Sequence, residues 1–371
     1  MATRRVTPVT RPPVSASLPA ARYLLVVLLG LMTYASLRPF TGWQIPRNGW
    51  LALLDQPMGF LHWDVILNVL GYVPLGFLAV LALASSRRSL LITFVAAIIG
   101  CIGFSFCVEV LQSALPARTS SLADVVTNST GTVIGALIAT VLTPWLLSSG
   151  GLVGLRQRHL APGWQGDLGL ALIGFWALAL FAPRTLLFGN GDARLLFSIP
   201  AQEGYSQQVF SGFEALISSM SLLAFALLLR LTFSSGRWAI RGLLLLAIAA
   251  SLAVRTTGFG LFWTMSNAFN WVTQGAVIGL VVGTLLALAL VDLPARAAAI
   301  TAALLLIVST LTVNLSPPNP YLWTKARPTR QTELAPVSMV TRTAAMLWPL
   351  AAVGFALGVA ARSGGASRAR R

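Results

Sequence analysis

Three carboxylates, three side-chain amides and one guanidinium, all within residues 64–128, have the types and spacing that could do chemistry. One line runs His62-Trp-Asp64-Val-Ile-Leu-Asn68-Val-Leu-Gly71 and continues Tyr72-Val-Pro74-Leu-Gly76. A second ends an apolar run as Cys107-Val-Glu109-Val-Leu-Gln112. The third opens another as Ser121-Leu-Ala-Asp124-Val-Val-Thr-Asn128-Ser-Thr-Gly131, with Arg118 in the short segment between. Carboxylates brought together can act as general acid and base. An arginine ringed by amides can hold a phosphate or carboxylate head group. Nothing supplies a metal or cofactor set: the two histidines, His62 and His159, lie far apart, and Cys101 and Cys107 share one apolar run. No cofactor and no metal are therefore expected.

Two of these lines match each other. Asp64, Asn68 and Gly71 recur as Asp124, Asn128 and Gly131, at offsets of zero, four and seven. On a helix those offsets form one stripe, in which the glycine lets a neighbouring helix approach. Simpler roles compete with a site. Asp64 and Asp124 each open a helix, where a carboxylate favours the positive end of the dipole. Ser121 with Asp124 reads as a capping box. Asn68 and Asn128 lie one turn deeper, beyond capping, yet would serve as interhelical hydrogen bonds. Glu109 and Arg118 would form a structural ion pair. Elsewhere, Arg255 reads as an end residue snorkelling to the interface, and Asp192 as part of a loop turn. Asn128-Ser-Thr130 has the form of a glycosylation acceptor but falls inside a helix, which sets it aside.

The elements that must position these groups follow from composition. Of 371 residues, 56% are hydrophobic and only 10% charged, and the mean hydropathy is +0.79. Soluble domains carry about 25% charged residues, so a soluble enzyme is excluded. Unbroken apolar stretches place ten spans near 22–37, 62–84, 90–115, 121–147, 167–182, 212–233, 239–257, 271–292, 297–315 and 343–361. The fold class is all-α: a polytopic membrane helical bundle of about ten transmembrane helices and no β-sheet. Residues 256–270, rich in Gly, Phe and Trp, read as an interfacial or re-entrant segment.

The net charge is +16, with a single lysine, Lys325. The arginines fall singly or in pairs between apolar runs, a distribution that sets topology rather than binding nucleic acid. Most of them collect on one side if the N-terminus is inside, so both termini are expected in the cytoplasm. Residues 1–20 read as a disordered cytoplasmic tail and 21–148 as a four-helix membrane domain. A cytoplasmic linker, 149–165, leads to a second membrane domain of about six helices, 166–361, and a basic cytoplasmic tail, 362–371. The larger outer loops, 183–211 and 316–342, hold Pro and aromatic residues but no catalytic cluster. In this topology Asp64, Asn68, Glu109, Gln112, Arg118, Asp124 and Asn128 share one depth near the outer leaflet, with His62 at the rim.

The first of the two membrane domains resembles the VanZ-like family of bacterial integral membrane proteins. The residues that carry the likeness are His62-Trp-Asp64 with Asn68, Tyr72-Val-Pro74-Leu-Gly76-Phe, Glu109 with Gln112, Arg118, and Asp124 with Asn128, Gly131 and Gly135. The resemblance implies a multi-pass protein of the bacterial cell envelope, in the inner membrane. Its namesake is associated with low-level resistance to the glycopeptide teicoplanin by a route that leaves the peptidoglycan precursor unaltered. It carries over no catalytic role. Two functions follow from the residues. One is a non-enzymatic protein binding an amphiphile: a lipid head group, a lipid-linked cell-wall intermediate or a glycopeptide- or lipopeptide-like antibiotic. The other is an intramembrane hydrolase or transferase on a lipid-linked substrate, with Glu109 or Asp124 as general base. A transporter ranks third, because the second membrane domain offers few polar residues at mid-membrane.

Overall fold

A computed structural model describes residues 18–46, 49–54, 62–85, 88–148, 150–182, 185–194, 206–263, 265–317 and 334–368. Most of the N-terminal tail, the middle of both larger loops, the last three residues and the side chain of His62 lie outside the described residues. Eleven helices follow one another: α1 (Pro19–Leu37), α2 (His62–Leu83), α3 (Leu90–Gln112), α4 (Leu122–Leu146), α5 (Leu152–His159) and α6 (Trp164–Leu180). Then come α7 (Gln207–Thr232), α8 (Arg237–Phe262), α9 (Gln274–Leu290), α10 (Ala295–Leu315) and α11 (Ala335–Arg368). Among the described residues there is no strand, and extended pairing is limited to one isolated bridge, Leu160 with Phe233.

Eight of these helices are long and apolar enough to cross a membrane. The other two apolar helices, α6 and α9, have 17 residues each, about 25 Å of helix against a hydrocarbon layer of about 30 Å. The protein is a multi-pass, all-α membrane protein, as its composition requires. Two expectations are refined. Residues 256–262 continue α8 rather than re-entering the membrane, and only a short 3-10 turn, Met265–Asn267, follows. The linker 149–165 holds a short helix, α5, with Arg156, Arg158 and His159 in its last turn, where cations favour the negative end of the dipole.

Local chemistry sets the helix starts near the polar residues. Ser89 caps α3, its side chain accepting from the Ile92 N–H at 3.2 Å. Ser121 caps α4 by accepting from the Ala123 N–H at 3.2 Å. Helices α2 and α4 run parallel and in backbone contact. A Cβ on Gly131 would stand 2.2 Å from the Val69 carbonyl oxygen, and one on Gly135 1.9 Å from that of Val73. On the other side, a Cβ on Gly76 would stand 2.2 Å from the Thr132 carbonyl oxygen. This is small-residue packing, which replaces hydrophobic driving force inside a bilayer. The same device joins α9 to α7, where Gly275, Gly279 and Gly283 lie against Ser211, Ala215, Ser218 and Ser219.

The later helices share a core of aromatic and aliphatic side chains. Trp176 stacks on Phe225 with ring centroids 3.6 Å apart, and Trp348 donates its indole N–H to the Leu172 carbonyl at 2.9 Å. Leu31 of α1 joins this core, and α1 packs on α6 and α11 as well as on α2. The first helix therefore belongs to both groups of helices.

Candidate functional site

The end of α1, the start of α2, the end of α3, the start of α4 and the segment between α3 and α4 surround a cleft of about 610 Å³. All seven polar residues singled out above line it: Asp64, Asn68, Glu109, Gln112, Arg118, Asp124 and Asn128. Asp64 is exposed, Asn68, Arg118 and Asp124 are half-buried, and Glu109 and Asn128 are each only 5% exposed.

The partners differ from those the sequence offers most simply. Asn68 donates its amide N–H to Asp124 Oδ1 at 2.8 Å and to Thr127 Oγ1 at 3.3 Å. The two copies of the repeated line are thus joined side by side through the second residue of one and the first of the other. In a capping box the Ser121 N–H would be taken by Asp124. Here Glu109 takes it, its Oε2 accepting at 3.0 Å, and Asp124 is released toward the cleft. Asn128 donates to Ser105 Oγ at 2.9 Å, and its Oδ1 is buried with no partner.

Arg118 pairs with no acid among the described residues, which corrects the expected ion pair with Glu109. Its Nε donates to the Arg38 carbonyl at 2.9 Å and its Nη2 to the Ala35 carbonyl at 2.7 Å. Those are carbonyls at the end of α1, which lack helical partners, so the guanidinium closes that helix. Burial, and then the charge of Arg38, pull Arg118 below the ordinary guanidinium range. Gln112 works in the same way, donating to the Ser36 carbonyl at 3.0 Å. Asp64 accepts no side-chain hydrogen bond among the described residues, and it lies within electrostatic reach of Asp124, as Asp124 does of Glu109.

Glycine does two jobs in the repeat. Gly131 permits the contact of α4 with α2, as its spacing indicates, whereas a Cβ on Gly71 would meet nothing within 4 Å. Gly71 faces the cleft instead. Tyr72, part of the line that carries the family likeness, is buried beside Ser105, within electrostatic reach of Glu109 and Asp124. Other lining residues carried no signal in the sequence. The far wall consists of Leu28 and Met32 of α1, Leu178 of α6, and Val337, Val340 and Thr341 of α11. Ordinary apolar residues in membrane helices announce no site, and only the tertiary fold assigns them to one.

The later helices hold ionisable groups of their own. Arg255 is only 3% exposed, which corrects its reading as a snorkelling end residue. It donates to the Ala182 carbonyl at 2.6 Å, to Thr185 Oγ1 at 3.0 Å and to the Thr185 carbonyl. It thereby closes the end of α6, and its guanidinium carbon lies 4.9 Å from the centre of the Phe259 ring. Glu214, 3% exposed, accepts from Thr273 Oγ1 at 2.5 Å. Asp192 reads correctly as a turn residue: its Oδ1 accepts from the Arg194 N–H at 3.1 Å, and its Oδ2 pairs with Arg194 Nη2 at 2.7 Å. Among the described residues, no group of three His, Cys, Asp or Glu side chains is gathered closely enough to hold a metal ion.

An apolar helical bundle with a mixed polar and apolar cleft at one end defines a polytopic membrane protein with an amphiphilic cavity. Residues 15–143 match the model of the family described as VanZ/LLP1, so the part of the chain that builds α1 to α4 is VanZ-like and the helices from α6 onward are an addition to it. No curated protein and no solved structure matches the chain.

Proposed function

We propose that this VanZ-like membrane protein binds an amphiphile in the cleft between α1, α2, α3 and α4, without chemistry. The observation that carries the reading is the cleft itself, whose one wall is carboxylate and amide and whose other wall is Leu28, Met32, Leu178, Val337 and Val340. A ligand that fits both walls has a polar head and an apolar tail. Candidates are a lipid head group, a lipid-linked cell-wall intermediate, or a glycopeptide- or lipopeptide-like antibiotic. Binding of the last would connect the protein to antibiotic susceptibility, including to teicoplanin.

The arginines support an orientation with both termini in the cytoplasm of the bacterial inner membrane. Arg22, Arg88, Arg156, Arg158, Arg230, Arg237, Arg241 and Arg296 all fall at the end of the bundle away from the cleft. The cleft then opens at the outer leaflet. The alternative, a hydrolase or transferase with Glu109 or Asp124 as general base, has less support. Glu109 is held by the Ser121 N–H and Asp124 by the Asn68 amide, arrangements that fix a carboxylate rather than present it as a base.

The test is photo-crosslinking of a lipid probe to Asn68→Ala and Arg118→Ala variants. Both are expected to lose labelling of the peptides that line the cleft while membrane abundance is retained. Undiminished labelling in both would end the proposal. A deletion strain complemented with Asn68→Ala and Asn128→Ala, and challenged with glycopeptides and lipopeptides, reports whether binding reaches a phenotype.

A further inference from the structure

The hydrogen-bond donors and acceptors of the polar wall are unequally available. Asn68 must present its N–H to the Asp124 carboxylate, because a carboxylate only accepts, and Gln112 must present its N–H to the Ser36 carbonyl for the same reason. Arg118 commits Nε and Nη2 to carbonyls of α1, and Asn128 gives its amide N–H to Ser105. Each of these four side chains thus commits donors to the protein itself, Asn68 both of its N–H groups and Arg118 its Nε and Nη2. The acceptors are less committed, and three of the groups that carry them are carboxylates against one guanidinium. The Asp64 carboxylate makes no side-chain hydrogen bond among the described residues, and Asp124 and Glu109 each have a second oxygen beyond the one that accepts. Asn128, 95% buried, has its Oδ1 without a partner while lining the cleft. A buried acceptor left unmatched is costly unless something donates to it.

We infer that the cleft selects amphiphiles whose head group carries a protonated primary amine, with Asp64 and Asp124 as its counter-charges and Asn128 Oδ1 as a third acceptor. This rests on the amphiphile reading above and narrows it. An ammonium offers three donors and no acceptor, which complements a wall of acceptors. A bare phosphate or carboxylate head would meet three carboxylates and a guanidinium already turned toward α1. Two sources share this chemistry, an aminoethyl phospholipid and a lipopeptide with a free amine.

The experiment uses the full chain in nanodiscs with three photoreactive phospholipids of identical acyl chains. Their heads are aminoethyl phosphate, N-acetylaminoethyl phosphate and glycerol phosphate. The aminoethyl probe should label the cleft peptides about tenfold more than either other probe, the scale of a charge-assisted hydrogen bond. Asp64→Asn should lower it to the level of the acetylated probe. This residue is chosen because it is exposed and holds no side chain in place, so the fold survives its change. Displacement by an unlabelled aminoethyl phospholipid or by an unlabelled lipopeptide with one free amine identifies the source, and displacement by neither overturns the inference. Equal labelling by all three probes, or a preference that persists in Asp64→Asn, also overturns it while leaving the amphiphile reading intact. Absence of cleft labelling by every probe overturns that reading too.

Discussion

In helices α6 to α11 buried polar side chains are matched to one another or to backbone. Ser221 bonds to Ser309 at 2.7 Å, Asp167 receives Arg156 through two hydrogen bonds of 2.5 and 2.6 Å, and Asn314 donates to the Gly191 carbonyl at 2.8 Å. Arg255 Nε and Asn190 Nδ2 remain without partners there, but neither lines a described cavity. In helices α1 to α4 Thr132 Oγ1 is likewise buried without a partner and away from the cleft, but Asp64, Glu109, Asp124 and Asn128 line the cleft and keep oxygens that accept no side-chain or backbone hydrogen bond among the described residues. The contrast teaches that polarity inside a membrane does not by itself mark a site. Direction does: a polar group tied on every side serves the fold, and one tied on a single side is open to a ligand.

The largest effect expected from breaking this contrast is at the contact of α2 with α4. Gly135→Leu would drive a side chain into the Val73 carbonyl and should cost roughly 3 kcal/mol or more, seen as loss of folded protein from membranes. Gly71→Ala, the matching change on the cleft side, should leave the melting temperature in detergent within a degree or two of wild type. Equal damage from both would deny the two glycines their separate roles. Next comes Arg255→Leu, which strips donors from the Ala182 and Thr185 carbonyls and leaves Glu214 without a nearby cation. It should cost about 3 kcal/mol in thermal unfolding followed by tryptophan fluorescence, with cleft labelling unchanged once the protein is folded.

A smaller loss is expected from Asp167→Asn. Its hydrogen bond raises Arg156 above the usual guanidinium range, but the Arg156 side chain is 26% exposed, so about 1 kcal/mol should be lost. The smallest effect concerns acid. Burial pushes Asp192 up, yet hydrogen bonds and charge from Arg194, with the charge of Arg342, outweigh it and hold the carboxyl below its ordinary value. A lowered carboxyl stabilises the fold above its unfolded pKa of about 3.9 and loses that contribution as pH falls through the lower folded value. Protection from hydrogen exchange at residues 189–194, taken relative to the intrinsic rate at each pH, should therefore be flat from pH 8 to about pH 5 and fall only in stronger acid, whereas Asp192→Asn should be less protected at neutral pH. A fall in protection already at pH 6 in the unaltered protein would contradict the pairing.

Much of this was legible in the sequence. Long apolar runs must become helices because a bilayer leaves backbone groups no other partner, so all ten apolar helices were found. The start of α11 was missed by several residues because Thr341, Arg342 and Thr343 interrupt its hydropathy without interrupting its helix. The seven polar lining residues were found because each is costly in a membrane, and cost is visible in one dimension. Their pairings were not. Whether Glu109 meets Arg118 or the Ser121 N–H depends on a few ångströms of helix placement, and Arg255 looks the same in sequence whether it points to water or to the end of α6. The apolar wall was invisible because Leu178 and Val340 differ in no way from their neighbours.

Because that wall borrows Leu178 from α6 and Val340 from α11, an occupant of the cleft would touch the VanZ-like helices and the added ones at once. Mass action then makes the occupant a clasp: the resistance of the whole bundle to unfolding would climb with the concentration of free ligand. Severing the chain after α4 would remove one jaw of that clasp while leaving every polar side chain of the other in place.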